Sequence, residues 1–569
     1  MSKQAVKGKH NQVQAEEPAF QAPPLPPTQD KQKLIFIGAA AAALLAGLTI
    51  YLLRLDKVVG LVVDDAWYVL LAKALATGQG YTLINSPTPG ITPFYSPGFP
   101  FLLSILYRLS PSFPGNLWLL KSISIAAMMG VGVLAYLYFK RERELPQWVA
   151  FALALATMIY PALVFLATST VMSECVFMVT QLGVIVLIER GVKAGQLGSA
   201  WKYAVAGGAL AGFAFLTRPA GVGLLVGAGL YLLKEKLFKQ AVIFSAVVVV
   251  VVGPWMIYSR THTPTPEQRA EQGANIVQSY STQLWQRVAG QPLSGTITAG
   301  DLPERVWNNL SEIGKYDFGG LVFYSLFRPL EPTLPMRLGP EARMISLFFA
   351  LLGLIGFIAT LRERMTLAEF VTPLSLGVSM LWGWEQYRLL LPLVPFLLFY
   401  ILMGVRFFVQ LYQKLYEEPN PRGALVPLLV FSWLFVLSNL YANYQYIQRK
   451  YDPVPANGLR WIAAYEENEA FIKHIGENVS KSDLIAAQNP ALVHLYTGHK
   501  TIASDDPAGS WENWNRLRVR YLARTSPGPL PPPDANEGKY RIAFRQGGML
   551  GLRLIDLGDP ASRPAWGKN

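Results

Sequence analysis

Hydrophobic residues gather in long stretches along most of this chain, and shorter polar segments separate them. The first stretch, Leu34–Leu53, is about one bilayer thick. Ten similar stretches follow, at 117–139, 148–166, 171–188, 203–216, 220–233, 241–258, 345–361, 367–382, 389–405 and 424–440. The pattern predicts a mainly α-helical, polytopic membrane helix bundle of about 11 spans.

Lysine and arginine are unevenly distributed between the segments that connect these stretches. If the N-terminus is cytoplasmic, the inside segments hold most of them, and the short outside turns hold only Arg218 and Arg388. Cytoplasmic loops of membrane proteins carry such an excess of positive charge. We therefore expect a multi-pass protein of the cell (inner) membrane, with a cytoplasmic N-terminus and an extracytoplasmic C-terminus.

This orientation divides the chain into three parts. Residues 1–32 are rich in Pro, Gln and Lys and predict a disordered cytoplasmic tail. Residues 33–442 form the transmembrane domain, with extracytoplasmic loops at 54–116 and 259–344. Residues 443–569 predict a small extracytoplasmic α/β domain. Its predicted elements are a helix at 461–475, strands at 483–487, 500–503, 540–544 and 552–555, and a proline-rich surface loop at 527–533.

Composition supports the membrane assignment and excludes other classes. Of 569 residues, 52% are hydrophobic and 15% charged, which excludes an ordinary soluble enzyme. The net charge of +13 follows from the cytoplasmic loops, so we expect no nucleic-acid partner. Cys175 is the single cysteine and cannot form an internal disulfide. No Walker-type glycine-rich loop is present, so ATP-driven chemistry on the inside is not expected.

The first extracytoplasmic loop contains the most informative motif. Asp64 and Asp65 open an apolar-periodic segment that includes Tyr68 and ends at Gly78-Gln79-Gly80. One interpretation is a pair of carboxylates at a helix N-cap, with glycine as the C-cap. The other is a catalytic carboxylate at the water–lipid boundary, since adjacent carboxylates beside apolar surface are costly. The two interpretations are compatible.

A proline-rich segment follows, from Pro93 to Pro100, and it includes Tyr95. Its prolines prevent a regular membrane span. Counting residues 101–109 as a span would place the basic residues at 140–143 outside. We therefore expect this helix to lie in the membrane interface, as one wall of a site that the first carboxylates face.

Three further charged residues lie at predicted helix ends. Glu174 falls in the first turn of a span, where a favourable helix dipole is the simple explanation and a functional carboxylate the alternative. Arg218 and Arg388 lie at outside helix junctions. A buried ion pair, for instance between Glu385 and Arg388, would explain such an arginine, whereas a bound phosphate would explain it functionally.

Taken in order, these motifs resemble the C-type membrane glycosyltransferases, especially family 39 and the aminoarabinose- and protein-mannosyltransferase-like branch. The resemblance covers roughly residues 34–505. The matching segments are 64–68 with Gly78 and Gly80, 95–103, 170–174, 216–219, 387–395 and 483–499. The chain departs from the family where Asp65 replaces a frequent Glu and Gly98 a frequent proline, which leaves the subfamily and the sugar open.

The resemblance and the topology together imply an enzyme. A polyprenyl-phosphate-linked sugar is the expected donor, because nucleotide sugars do not reach the outside. The acceptor is a lipid, glycan or protein hydroxyl, and the transfer inverts the anomeric configuration. Asp64 is the expected general base. The remaining site residues are Asp65 and Glu174 as orienting carboxylates, Arg218 and Arg388 at the donor phosphate, and Tyr68, Tyr95 and Tyr387 against substrate.

Other classes stay open at this point. A multi-pass transporter or lipid flippase would favour polar or broken helices at the bilayer midplane. A membrane-anchored assembly protein would use the C-terminal domain to bind a partner. A divalent metal among the three carboxylates is open too, because their spacing does not require one. The histidines show no metal spacing, and the pair His494 and His499 is a weak signal.

Overall fold

The computed structural model describes most of the chain between residues 27 and 559. The gaps are 61–63, 195–198, 273–278, 292–293, 329–338, 385, 417–420, 455–456, 505–509, 526–540 and 547–550. Residues 1–26 of the predicted tail, the predicted loop 527–533 and Glu385 lie outside the described residues. The chain forms two compact units, 1–46 and 47–569. The candidate site and the C-terminal sheet belong to the second unit.

Helices make up most of the described chain. The α-helices, numbered α1 to α23 in chain order, are Pro27–Arg54, Asp64–Ala76, Gly98–Leu109, Leu117–Leu137, Gln147–Met158, Pro161–Thr168, Glu174–Lys193, Ala200–Thr217, Val222–Lys234, Phe238–Thr261, Pro266–Gln272, Tyr280–Leu284, Leu302–Glu312, Phe318–Val322, Tyr324–Phe327, Pro340–Glu363, Ala368–Leu381, Tyr387–Leu390, Val394–Leu415, Pro421–Lys450, Arg460–Asn478, Pro490–Thr497 and Ser510–Arg516.

The helices confirm a multi-pass membrane protein. Within the described residues, seven helical segments are long and apolar enough to cross a membrane. An eighth is the pair α5 and α6, which bends by 44° at the break before Pro161. All eleven predicted stretches fall on helices, but α8 is not among these candidates, and α9 and α17 are shorter. The count of 11 therefore stays a prediction.

Two predicted domain boundaries differ from the helix ends. The helix α1 begins at Pro27, so the last part of the predicted tail is helical. The helix α20 continues to Lys450, beyond the predicted end of the transmembrane domain at residue 442. In both places polar residues extend an apolar helix, because a helix that leaves the hydrocarbon can continue where water satisfies its side chains. Hydropathy marks only the apolar part of such a helix and does not locate its polar end.

The C-terminal region contains a five-stranded sheet. Its strands are β1 Leu484–Ala487, β2 Thr501–Ala503, β3 Val519–Arg524, β4 Arg541–Gln546 and β5 Leu552–Asp556. Their order is β2-β1-β3-β5-β4, with β1 parallel to β2 and β3 and the other pairs antiparallel. The four predicted strands are confirmed, and α21 confirms the predicted helix. The strand β3 was not predicted, because arginines interrupt its apolar alternation.

Candidate active site

Asp64 and Asp65 open α2, as the sequence predicts, but their side chains lie in different surroundings. Asp65 is fully buried and accepts hydrogen bonds from the backbone N–H of Gly60 at 2.9 Å and of Ala66 at 3.1 Å. Burial raises the pKa of the Asp65 carboxyl to about 6, and the Gly60 hydrogen bond opposes part of that shift. The side chain of Asp64 is 34% exposed. Asp64 is therefore the carboxylate that a substrate can reach.

Two side chains from distant parts of the sequence hold Asp64. The hydroxyl of Tyr95 donates to Oδ1 at 2.8 Å, and Nη2 of Arg388 donates to Oδ2 at 3.1 Å. Each carboxylate oxygen thus has one fixed donor, and a carboxylate oxygen can accept a second hydrogen bond. This geometry fixes the direction of the carboxylate without using its full capacity to accept hydrogen bonds.

Glu174 joins both predicted arginines. It is the first residue of α7 and its side chain is fully buried. Its Oε1 lies 2.5 Å from Nε of Arg388 and 2.8 Å from Nη1 of Arg218. At the start of α7 the helix dipole favours a carboxylate, as the sequence suggested. The two guanidinium groups favour it as well. Four predicted residues therefore form one group, which we call the Asp64 cluster: Asp64, Glu174, Arg218 and Arg388.

The cluster is charged, compact and open on one side. Its side chains are 34% exposed for Asp64, 27% for Arg388 and 12% for Arg218. Two carboxylates and two guanidinium groups balance in charge. A guanidinium group presents several N–H donors in a fixed plane and suits a phosphate oxygen. The arrangement can accept a proton at Asp64 and bind an anion beside it.

A close contact between backbones positions Arg218. A Cβ atom on Gly98 would lie 2.7 Å from the carbonyl carbon of Leu216 and 2.8 Å from the nitrogen of Thr217. Any side chain at this position would collide with backbone, so α3 begins directly against the end of α8. Arg218 is the next residue and leaves the helix in an extended conformation. Glycine at 98, one departure from the family pattern, therefore has a packing reason.

Aromatic rings surround the cluster. Tyr68 and Tyr95 lie 5.2 Å apart between ring centroids, and Phe94 lies 4.9 Å from Tyr95 and 4.4 Å from Tyr280. Burial raises the pKa of Tyr68 to about 12, and it also raises the pKa of Tyr95 and of Tyr280. These phenols therefore stay protonated at neutral pH and can donate hydrogen bonds.

Two of these aromatic residues, Phe94 and Tyr280, were not predicted from the sequence. Phe94 is adjacent to the predicted Tyr95 in the proline-rich segment, so the motif itself was a signal. Tyr280 begins the short helix α12 in the second predicted loop. That loop has no apolar periodicity, so no local pattern connected Tyr280 with the carboxylates of the first loop.

Tyr387, predicted to contact substrate, points away from Asp64. Its hydroxyl lies 2.9 Å from that of Tyr160, and the guanidinium of Arg328 lies 3.5 Å above its ring centroid. Because Tyr387 and Arg388 are consecutive helical residues, their side chains diverge by about 100° around the helix. The substrate role of Tyr387 stays a prediction.

The described residues contain no group of three or more His, Cys, Asp or Glu side chains that could hold a metal ion. The predicted weak signal from two histidines has another explanation. Nδ1 of His494 lies 2.8 Å from the carbonyl oxygen of His499, and Nε2 of His499 lies 3.1 Å from that of Val479. Burial lowers the pKa of His494 to about 4. Both rings therefore have structural partners in the C-terminal domain.

Comparison with known proteins identifies similar solved structures. ArnT from Cupriavidus metallidurans in the apo state is 14% identical, with a TM-score of 0.47 over 93% of this chain and 100% of that chain. The same protein bound to undecaprenyl phosphate is 13% identical, with a TM-score of 0.47 over 93% and 99%. An Archaeoglobus fulgidus oligosaccharyltransferase tethered with an acceptor peptide is 11% identical, with a TM-score of 0.48 over 85% and 68%.

These structures are C-type membrane glycosyltransferases, the group that the sequence motifs resemble. At such identities the similarity concerns the fold. No protein-family model and no curated protein matches the chain.

Proposed function

We propose that this protein transfers a sugar from a polyprenyl-phosphate-linked donor to an acceptor hydroxyl on the extracytoplasmic side of the membrane. The observation that carries the proposal is the Asp64 cluster. It combines a partly exposed carboxylate, held by Tyr95 and Arg388, with two arginines that share one buried glutamate. A base beside an anion site is what transfer from a sugar phosphate requires.

The reaction is a single displacement. The acceptor oxygen forms a bond to the anomeric carbon while the bond from that carbon to the phosphate oxygen breaks. Asp64 accepts the hydroxyl proton, and the electron pair of the broken bond remains on the polyprenyl phosphate. The attack comes from the face opposite to the leaving group, so the anomeric configuration inverts.

The arginines act on the leaving group. Arg388 contacts Asp64 and Glu174, and Arg218 contacts Glu174. Negative charge that develops on the phosphate oxygen is stabilised by fixed donors in a partly dry site. Glu174 holds both guanidinium groups in place, so that neither has to reorganise when the charge appears.

The helix α3 offers a surface for the apolar donor tail. Phe101, Ile105 and Leu109 are 56%, 47% and 74% exposed, and they recur every four residues on one face. The opposite face of α3 includes the buried Phe99, which packs 5.2 Å from Tyr68 between ring centroids. A helix with this pattern lies well in a membrane interface, beside the site.

Label transfer from a radiolabelled polyprenyl-phosphate sugar tests the proposal. Membranes containing the full-length protein supply endogenous lipid, glycan and protein acceptors, and each donor is offered in turn. We expect transfer with the wild type and with the matched control Asp483→Asn, and loss of transfer with Asp64→Asn at equal expression. Transfer that is unaffected by Asp64→Asn would overturn the role of Asp64. Movement of unmodified donor across vesicles without any transfer would favour the transporter or flippase alternative.

A further inference from the structure

Asn489 of the C-terminal domain is connected to Asp65 of α2 through a single glycine, Gly60. The backbone N–H of Gly60 donates to Oδ2 of Asp65 at 2.9 Å. The carbonyl oxygen of the same glycine accepts a hydrogen bond from Nδ2 of Asn489 at 3.1 Å. The two sides of one residue therefore connect the C-terminal domain with the carboxylate next to Asp64.

Gly60 has no room for a side chain at this junction. Its φ is +84°, in the left-handed region that favours glycine. A Cβ atom would lie 2.9 Å from Cδ2 of Leu492 and 3.0 Å from Nδ2 of Asn489. The helix α22 is thus packed directly on this point of the first loop.

The Asn489 side chain is fixed at both of its ends. It is the N-cap of α22, where its Oδ1 accepts a hydrogen bond from the backbone N–H of Leu492 at 3.2 Å. Because the cap fixes Oδ1, the Nδ2 group has a defined direction toward Gly60. Asn489 is buried, so water does not readily replace this bond.

A second contact holds the same domain against the first loop. The backbone N–H of Thr501, in β2, donates to the carbonyl oxygen of Asn85 at 2.8 Å. In return, Nδ2 of Asn85 donates to the carbonyl oxygen of Thr501 at 3.1 Å. Nζ of Lys500 also donates to the carbonyl oxygen of Ile84 at 2.9 Å. The domain therefore contacts the loop on both sides of α2, which restricts rotation of that helix.

From these contacts we infer that Asn489 is a positioning residue, which orients Asp64 for the reaction by way of Gly60 and Asp65. The inference rests on the proposed function. A small displacement of a catalytic group lowers the rate strongly even when the displaced residue is far from the chemistry. The C-terminal domain would thus help to orient the first-loop carboxylates.

The test compares Asn489→Ser with Asn478→Ser in the full-length protein. Serine preserves the helix cap but is too short to reach Gly60. Asn478 donates to the carbonyl oxygen of His474 within the same domain and serves as the control. We expect Asn489→Ser to lower kcat roughly tenfold while the donor KM changes less than about twofold. The double variant with Asp65→Asn should be no slower than Asp65→Asn alone, because both changes break the same path from Asn489 through Gly60 to Asp65.

Hydrogen exchange gives a readout that needs no activity. The amides around Gly60 should exchange faster in Asn489→Ser than in Asn478→Ser, at equal melting temperature. If serine impairs folding, Asn489→Asp preserves the cap and lacks the Nδ2 donor, and it should give the same result. Unchanged exchange, or rate losses that add to those of Asp65→Asn, would overturn the inference. Faster exchange without any transfer by the wild type would instead overturn the proposed function and leave the contact established.

Discussion

In the described part of the chain, two groups of paired arginine and carboxylate side chains lie near opposite ends of α7. The Asp64 cluster lies at the end where Glu174 begins the helix. The other group, which we call the Glu369 cluster, consists of Glu369, Arg143, Tyr400 and Thr366. It lies near the other end, where Glu189 accepts a hydrogen bond from the backbone N–H of Leu367 at 2.6 Å.

The two clusters use the same chemistry but differ in how completely it is satisfied. In the Glu369 cluster, Oε1 of Glu369 accepts hydrogen bonds from Arg143 and from the Tyr400 hydroxyl. Its Oε2 accepts hydrogen bonds from the backbone N–H of Thr366 at 2.7 Å and from the Thr366 hydroxyl at 3.0 Å. In the Asp64 cluster, Oε2 of Glu174 accepts no hydrogen bond from the described residues.

The two clusters also differ in how much of their side chains is exposed. The side chains of Arg143 and Glu369 are 4% and 0% exposed, whereas those of Arg388 and Asp64 are 27% and 34% exposed. A closed, fully paired group stabilises a packing arrangement. An open group with unused acceptor capacity can bind and react. Burial of charge alone therefore does not distinguish the two clusters, whereas the exposure of Asp64 and Arg388 does.

Asp64→Asn changes the open cluster and should have the largest effect on sugar transfer. Asparagine keeps the size of the side chain and an acceptor oxygen but cannot take a proton at neutral pH. We expect kcat/KM for sugar transfer to fall about 10²–10⁴-fold. The melting temperature in detergent should stay close to that of the wild type, since this carboxylate is partly solvated. A large loss of melting temperature would instead assign Asp64 a structural role.

Glu369→Gln should have the opposite profile. The change removes the counter-charge of the buried Arg143, and removing one partner of a buried pair costs about 3–5 kcal/mol. We expect a clearly lower melting temperature, with the transfer rate per folded molecule unchanged. Glu144→Gln is the matched control, because Glu144 is 73% exposed in its pair with Arg364 and such pairs contribute little. Equal melting temperatures for the two variants would contradict the comparison.

Asp65 should make stability depend on pH. Its pKa is raised from 3.8 to about 6 in the folded protein, so folding favours the protonated acid. The contribution of this group is complete below pH 3.8, declines as the pH rises to about 6, and is absent above that. The total change is roughly 3 kcal/mol. The melting temperature of the wild type minus that of Asp65→Asn should therefore fall between pH 4 and pH 6.5. A difference that stays constant over this pH range would contradict the prediction.

Much of the fold could be predicted because membrane spans can be recognised from the local hydropathy of the sequence. The apolar stretches located the helices, and the first carboxylates located the start of α2. Glu174, Arg218 and Arg388 were each predicted as candidates, since charge at a helix end near lipid is unusual. Their meeting at Oε1 of Glu174 depends on how α7, α8 and α18 pack, which no local pattern encodes.

Other features could not be predicted for similar reasons. The contacts of Tyr387 with Tyr160 and Arg328 join residues that are far apart in the sequence, so no local pattern predicts them. Tyr280, which packs on Phe94, and Asn489, which contacts Gly60, come from regions without a strong periodic pattern. The Glu369 cluster was missed because a single glutamate near the end of a span is an ordinary feature until its partners are known. Tertiary contacts determined each of these outcomes.

Arg218→Lys should give the smallest effect and tests how the arginines act. Lysine keeps the positive charge beside Glu174 but loses the planar set of donors. Because Arg218 is proposed to bind the donor phosphate and to stabilise the charge that develops on it, we expect kcat/KM for the lipid-phosphate donor to fall roughly tenfold, about 1.4 kcal/mol. Arg143→Lys, the same change in the closed cluster, should leave KM unaltered and lower the melting temperature. A fall in kcat with an unchanged KM would mean that Arg218 acts on the transition state alone, so the phosphate would be bound in the ground state mainly by Arg388.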